Sequence, residues 1–530
     1  MIKMIKCALD RRLGAWEHPR IMNAMCRVIL MLFLGLATLH PAPIAAGAEA
    51  AARSGRLAFG WATESIVPSK PVAVAGQYHT RISGEAKDPI TVTALALETR
   101  DGKDVLDQAV WVSCDLVGIR GKSVERVRSL VAAALPDLDV RKILISATHT
   151  HTAPSITDAE ETDLHPYDFA GSWAYRLPAD AQNILRPRDY LDFLERQIAS
   201  AISRAWTSRQ PGEFSSALGH ASVARNRRAV YFDGTTRMYG DPGDPNFSHT
   251  EGTSDDSVDA LFFWRDGRIV GIGITLYCPS QSVEGELYLS ADFWHDTRQV
   301  LRERLGTNVY VLPLNGASGD QSPHVQVGKA AEAGMLERRG LSRRREIARR
   351  IGRAVEDMEG IARRSIRSEV RFGHRVEIVP LPVWKVSDER FEQASAIVKA
   401  GRDSWMNLTS PDYIHWRVSR TMVARHALQK TNPYYSAEIH VLRLDDLAMA
   451  TNPFELYTDY GLRIKARSPA VQTAVVQLTA DCPAYLPTER AVQGGGYSGR
   501  IDDGVVGPEG GRVLVEETTR LIKSLWAQPK

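Results

Sequence analysis

Lys142-Ile-Leu-Ile-Ser-Ala-Thr-His149-Thr-His151-Thr-Ala-Pro154 joins a short apolar run to a polar, proline-terminated one. Its apolar residues at 143–145 read as a buried strand, and Pro154 forbids a continuing ladder. The polar run of Thr and His follows where that strand leaves its sheet. On a strand, residues i and i+2 face the same side, roughly 6.6 Å apart along the chain. His149 and His151 are therefore expected to point together into the space beyond the sheet edge. Two imidazoles on one face can both bind a metal, or one can bind while the other serves as acid, base or carbonyl polariser. A pair of exposed or hydrogen-bonded histidines in a Thr-rich turn is the alternative, and the rest of the chain has to decide.

Immediately upstream, Val124, Val127, Leu130 and Val131 recur at helical spacing, predicting a helix over 121–135. Before it, Ile90–Leu97 and Ala109–Cys114 are strand-like runs joined through Arg100-Asp-Gly-Lys103, a hairpin signal. Strand, helix, strand at this spacing predicts a crossover unit and an α/β layer. Gln77-Tyr-His79-Thr-Arg81 lies between strands as a cavity-lining loop or a polar turn.

Downstream, residues 153–188 carry Pro154, Pro166, Pro178 and Pro187 together with Tyr167, Phe169, Trp173 and Tyr175. Long irregular insertions of this kind tend to be lids or binding loops, with an ordinary surface excursion as the alternative. Asp189 is the expected cap of a helix running to Trp206. Arg225-Asn-Arg-Arg228 reads as a basic surface cluster. Leu261–Trp264 and Ile269–Tyr277 flank the turn Arg265-Asp-Gly267, and the second strand ends in Cys278-Pro279-Ser-Gln281. Ser290 is the expected N-cap of a helix through Leu305. Val309–Leu314 then feeds a Gly-rich polar turn, Asn315-Gly-Ala-Ser-Gly-Asp320-Gln-Ser322, whose backbone N–H groups suit an anion or developing oxyanion. The strongly basic helix Arg343–Arg364 buries Ile347, Ile351, Val355, Met358 and Ile361. Its charges read as a solvated outer face or, alternatively, as attraction to an anionic lipid surface, a peripheral membrane contact.

The bulk composition excludes several classes. With 66 basic against 63 acidic residues, net +3, nothing argues for a nucleic-acid partner. Basic residues up to Arg27, the apolar run Val28–Leu39 and Ala-x-Ala options around Ala46, Ala48 and Ala50 have the plan of a secretory signal peptide over residues 1–50. That apolar core is too short to span a bilayer. The mature chain, 51–530, is accordingly expected to be exported, periplasmic or secreted, with no obligate protein partner. Beyond residue 50 the cysteines are Cys114, Cys278 and Cys482, too few for a disulfide framework.

Five strands each end in a turn marked by proline or glycine and carrying able side chains: His149/His151, Cys278, Asp320/Ser322, Glu455 and Tyr485. Ligands of α/β sheets sit outside the carboxyl ends of strands, and a His, an acidic residue and further donors make a zinc set. Ser322 as a nucleophile is the weaker acyl-transfer option, since no dedicated base accompanies it.

These motifs resemble a known family. Ser-Ala-Thr-His149-Thr-His151-Thr-Ala-Pro154 is similar to the T-H-T-H-S-G-P stretch of neutral (alkaline) ceramidases, and Asn315–Pro323 to their N-x-G-D-V-S-P turn. Asn226-Arg227, Asn452-Pro-Phe-Glu455 and Tyr485-Leu-Pro-Thr488 resemble, in order and spacing, their N-R, P-G-E and Y-x-T-T segments. The resemblance covers about residues 57–515. It implies a single zinc amidohydrolase domain of layered sheets between helices, with the active site at the strands' carboxyl ends. It further implies Zn2+ held by His149, Glu455 and Tyr485, with Tyr497 as the alternative tyrosine. His151 is then placed beside the scissile carbonyl and Arg227 in the pocket. Zinc would give a hydroxide that attacks the carbonyl of a lipid or other small N-acyl amide, with the 315–322 turn, including Asp320, at the oxyanion. Two departures stand out. The family's second zinc histidine lies in an H-P-T-S stretch where this chain has Cys278-Pro-Ser-Gln, so Cys278 is expected to replace it, His295 reaches in instead, or the metal is lost. The last case is a metal-free binding protein on the same scaffold. The chain also ends soon after Tyr497, so the smaller C-terminal sandwich domain of full ceramidases is expected to be absent.

Overall fold

The computed structural model describes residues 52–157, 165–167, 183–400 and 412–527. The segment 1–50 and the aromatics Phe169, Trp173 and Tyr175 lie outside the described residues. In chain order the elements that position the site are β1 (Arg53–Ser65), β2 (Thr91–Asp101), β3 (Asp104–Cys114), α1 (Gly121–Ala134), β4 (Ile143–Ala147), α2 (Pro187–Thr207), β5 (Glu213–His220), β6 (Ser257–Arg265), β7 (Arg268–Leu276), α3 (Phe293–Leu305) and β8 (Tyr310–Asn315). They continue with α4 (Arg343–Arg364), β9 (Glu369–Pro382), β10 (Tyr434–Leu444), β11 (Leu447–Thr451), α5 (Thr458–Arg467), β12 (Gln472–Val476) and α6 (Pro508–Trp526).

The expected α/β architecture is present as two sheets between helical layers. The larger sheet runs β12-β11-β10-β9-β1-β2-β3-β4, and the smaller runs β8-β7-β6-β5. The hairpin signals act as expected: Gly102 joins β2 to β3 at φ +58°, and Asp266 and Gly267, both at positive φ, make the tight β6–β7 turn. β2 explains why the sheets must be sandwiched, since it is buried along nearly its whole length. Leu95 and Leu97 face a core shared with Leu312 and Leu314 of the smaller sheet. Val92, Ala94 and Ala96 face the opposite way, onto Val124 and Val127 of α1 and Ile198 and Ile202 of α2. The smaller sheet buries its other face under Leu301 of α3 and Ile351 and Val355 of α4. β9–β12 are covered by α5 and α6 through Ile464, Leu514 and Ile522. Among the described residues, no helix is long and apolar enough to cross a membrane.

Several local expectations are corrected. Helix α2 starts at Pro187, whose fixed φ and missing N–H suit the first helical position, so Asp189 sits in the first turn rather than at the cap. Asp292, not Ser290, caps α3 by accepting from the Phe293 N–H, while Ser290 donates to Asp88. On α4, Ile361 is 59% exposed rather than buried. The basic residues in the first half of α4 are tied down internally, Arg343 to Glu332, Arg344 to Asp88 and Asp296, and Arg349 and Arg350 to Glu346.

One closure decides where the site forms. Past β12 the chain crosses to the far edge of the large sheet, where Thr479 pairs with Ser146 and the Ala480 N–H donates to the Ile145 carbonyl. Gly316, just past β8, pairs with Val476, and its N–H donates to the Leu276 carbonyl at the end of β7. The carboxyl ends of β4, β7, β8 and β12 are thereby brought to one end of the sandwich.

Candidate active site

A cavity of about 380 Å³ opens at that end, lined by His149, His151, Arg227, Gln281, Glu284, Glu455, Tyr485 and Tyr497 among others. The two histidines of the organising stretch share it, but not for the expected reason. β4 stops at Ala147, and His149 takes φ +63°, so a left-handed kink rather than strand alternation turns both rings inward. Their centroids lie 4.8 Å apart at 79°.

His149 is 3% exposed. Its Nδ1 is 2.7 Å from the Val117 carbonyl, which can only accept, so Nδ1 carries the proton. Nε2 then faces the Glu455 carboxylate at 3.1 Å. A nitrogen lone pair and an anion at that distance need a cation between them, a proton or a metal ion. Burial opposes charge on both groups. The carboxylate outweighs it and raises the His149 pKa, and His149, Arg227 and Tyr485 outweigh it at Glu455, whose pKa falls below the usual carboxylate value.

Glu455 reaches this position through a two-residue parallel pairing, Glu455 with Tyr485 and Leu456 with Leu486. Gly319 allows the chain to cross here, since a Cβ on it would stand 2.3 Å from the Glu455 carbonyl oxygen. The Tyr485 hydroxyl accepts from an Arg227 guanidinium N–H at 3.0 Å, with Tyr497 OH 3.4 Å away. Burial pushes both phenols well above the ordinary tyrosine pKa. Arg227, whose basic neighbours read as surface but which the resemblance puts in the pocket, is buried and also donates to the Gly319 carbonyl.

His151 sits against Gln281, with 2.8 Å between His151 Nε2 and the amide nitrogen. Burial, then the neighbouring His149, Arg81 and Arg227, hold its pKa well below the usual value, so it is neutral. Arg81 staples the surrounding loops by donating to the carbonyls of Ala75, His151, Glu284 and Glu286. The polar segment 77–81 is thus part of the cavity, with Gln77 and Tyr78 in its wall.

Other expected residues are placed elsewhere. Cys278 does not reach the cavity. It is 1% exposed in the apolar cluster of Phe293 and Trp294, its Sγ nearest the Val223 and Pro279 carbonyls, and burial raises the thiol pKa far above the ordinary value. The turn after β7 swings Cys278 inward and delivers Gln281 to the cavity, held by a hydrogen bond from Ser280 Oγ to the Thr148 carbonyl. His295, on α3, is not part of the cavity wall. Asp320 is a buried tie, accepting from Asn226 Nδ2 and from the N–H and hydroxyl of Thr458. Ser322 lies one residue behind the cavity wall, accepting from the hydroxyl of the lining residue Tyr239 and from the His324 N–H. Gln281, Glu284 and Tyr239 also line the cavity and belong to no motif in the sequence, although Gln281 closes the proline-marked turn that Cys278 opens.

Among the described residues, no group of three or more His, Cys, Asp and Glu side chains is placed to hold a metal ion. The converging set is one imidazole, one carboxylate and one phenol. Its donor chemistry fits a divalent cation, with the Val117 carbonyl in the outer-shell position that fixes a metal-binding tautomer.

No protein-family model and no curated protein matches the chain. Solved structures do. The fold is similar to the neutral ceramidase from Pseudomonas aeruginosa, with a TM-score of 0.64 and 16% identity over 90% of this chain and 76% of that one. A structure described as a ceramidase complexed with C2 matches with a TM-score of 0.61 and 14% identity, over 89% of this chain and 75% of the other. The layered α/β fold is therefore that of the neutral ceramidase structures.

Proposed function

We propose that this chain is an exported hydrolase that cleaves the amide bond of an N-acyl, lipid-like substrate in the His149–Glu455 cavity. The observation that carries this reading is the convergence of His149, Glu455 and Tyr485 at strand ends of a ceramidase-like fold.

His149 Nε2, the Glu455 carboxylate and the Tyr485 oxygen would hold a zinc ion. When bound, zinc supplies a Lewis acid for the carbonyl and lowers the pKa of water toward about 7. The remaining work belongs to the chain. Arg227, fixed by Gly319 and Tyr485, puts a buried positive charge where the carbonyl oxygen becomes negative, and it needs no reorganisation to do so. His151, neutral and beside His149, is placed to move a proton toward the departing amine. Val117, Ile119, Pro154 and Ile156 form an apolar wall that excludes water and accepts an acyl chain.

A second reading, a metal-free binding protein on the same scaffold, draws on the direct His149–Glu455 contact, where a proton alone satisfies both groups. Incubation with a single-chain N-acyl amide separates the two. Turnover that stops on chelation and returns with zinc supports the hydrolase. Binding without turnover in zinc-replete protein supports the binding protein.

A further inference from the structure

Gln281 is 1% exposed, and its side chain lines the cavity. Its Oε1 finds no donor among the described residues. A buried acceptor without a partner is unfavourable, so such a group inside a ligand cavity is a recognition element awaiting its donor.

Which end of the carboxamide is unpaired follows from His151. Nδ1 of that ring makes no hydrogen bond among the described residues, and the charged group nearest to it is the Glu284 carboxylate at 3.9 Å, which favours the ring proton on Nδ1. Nε2 then has only a lone pair, and the Gln281 group 2.8 Å from it must be the NH2. The oxygen is left over. Rotating the amide by half a turn would set a carbonyl oxygen against that lone pair. Gly76 fixes the ring itself: a Cβ there would stand 2.5 Å from the His151 Cβ.

The geometry points to Gln281 as the residue that selects amides over esters, its Oε1 accepting the N–H of the scissile bond while its NH2 holds His151. This rests on the proposed amide hydrolysis and adds to it the residue that sets the bond type. An amide and the ester of the same acyl chain have nearly the same shape and differ at this point in one donor. A site built to hydrogen-bond a substrate N–H discriminates against an analogue lacking it, because its own acceptor is then left unpaired.

The test compares kcat/KM for N-dodecanoylethanolamine and for the matching ethylene glycol monoester of dodecanoic acid, in wild type, Gln281→Met and Gln281→Glu. Loss of support for His151 lowers both rates together and cancels in the amide-to-ester ratio. The expected result is a ratio about tenfold lower in Gln281→Met and near wild type in Gln281→Glu, which keeps an acceptor. An unchanged ratio in Gln281→Met overturns the role of Gln281 while amide hydrolysis by wild type stands. A wild type that cleaves no amide overturns the proposed hydrolysis and this inference with it.

Discussion

His149 Nε2 lies 3.1 Å from Glu455 Oε2, although the two residues are some three hundred positions apart. His149 arrives on a left-handed kink after β4 and Glu455 on a two-residue strand paired to Tyr485. Glu455→Gln keeps the shape and removes the anion. It is expected to abolish zinc binding and amide hydrolysis together, measured as bound zinc per chain and turnover.

Arg227 is held by the Gly319 carbonyl and the Tyr485 hydroxyl. Arg227→Met keeps most of the stem and removes the donor charge. A fall in kcat of about 10²–10³ is expected, the loss typical of one preorganised oxyanion donor. A fall in KM-dependent rates alone, with kcat intact, would assign Arg227 to ground-state binding.

Cys278 and Ser322 both carry groups able to act chemically, but neither lines the cavity: Cys278 is packed in an apolar cluster and Ser322 sits behind Tyr239. Cys278→Ala is expected to keep its zinc and its activity while losing about 1–2 kcal/mol of stability from the lost packing. Ser322→Ala should remain active. Zinc analysis, turnover and thermal unfolding of the two variants check this directly.

These two residues also show where sequence reading reaches its limit. The strands were legible because long apolar runs end at Asp-Gly turns, and Glu455 and Tyr485 because each sits where such a run stops. Side-chain direction beyond a strand end depends on backbone angles that residue type does not set, as at His149 with φ +63°. Cys278 and Gln281 belong to one turn, and Phe293 and Trp294 on α3 offer the thiol an apolar home. The basic run 225–228 taken alone reads as surface for the same reason, and only the family resemblance puts Arg227 in the pocket: its partners, Gly319 and Tyr485, come from distant parts of the chain.

Gly76 has φ +99° and touches His151 so closely that an added Cβ would stand 2.5 Å from the ring-bearing carbon. Gly76→Ala should displace His151 and cost about 10²-fold in activity. Steady-state rates alongside circular dichroism separate that from unfolding.

Acid should loosen the far side of the sandwich. Glu438 bonds Arg128 and His440 at 2.6 and 2.7 Å. Burial opposes its charge, but these partners outweigh it and bring the carboxyl from 4.5 to about 2. A depressed folded-state pKa adds stability above pH 4.5 and loses it as pH falls toward 2. Glu438→Gln is expected to be less stable at neutral pH by about 2 kcal/mol at most and to show a flatter unfolding midpoint across that window.

Whether His149 and Glu455 hold zinc is decided by the metal content of the purified protein, read by elemental analysis for wild type, His149→Ala and Cys278→Ala. One zinc ion per chain in wild type and in Cys278→Ala, with none in His149→Ala, is the expected result. Zinc retained in His149→Ala, or amide turnover by wild type that holds no metal, would contradict it.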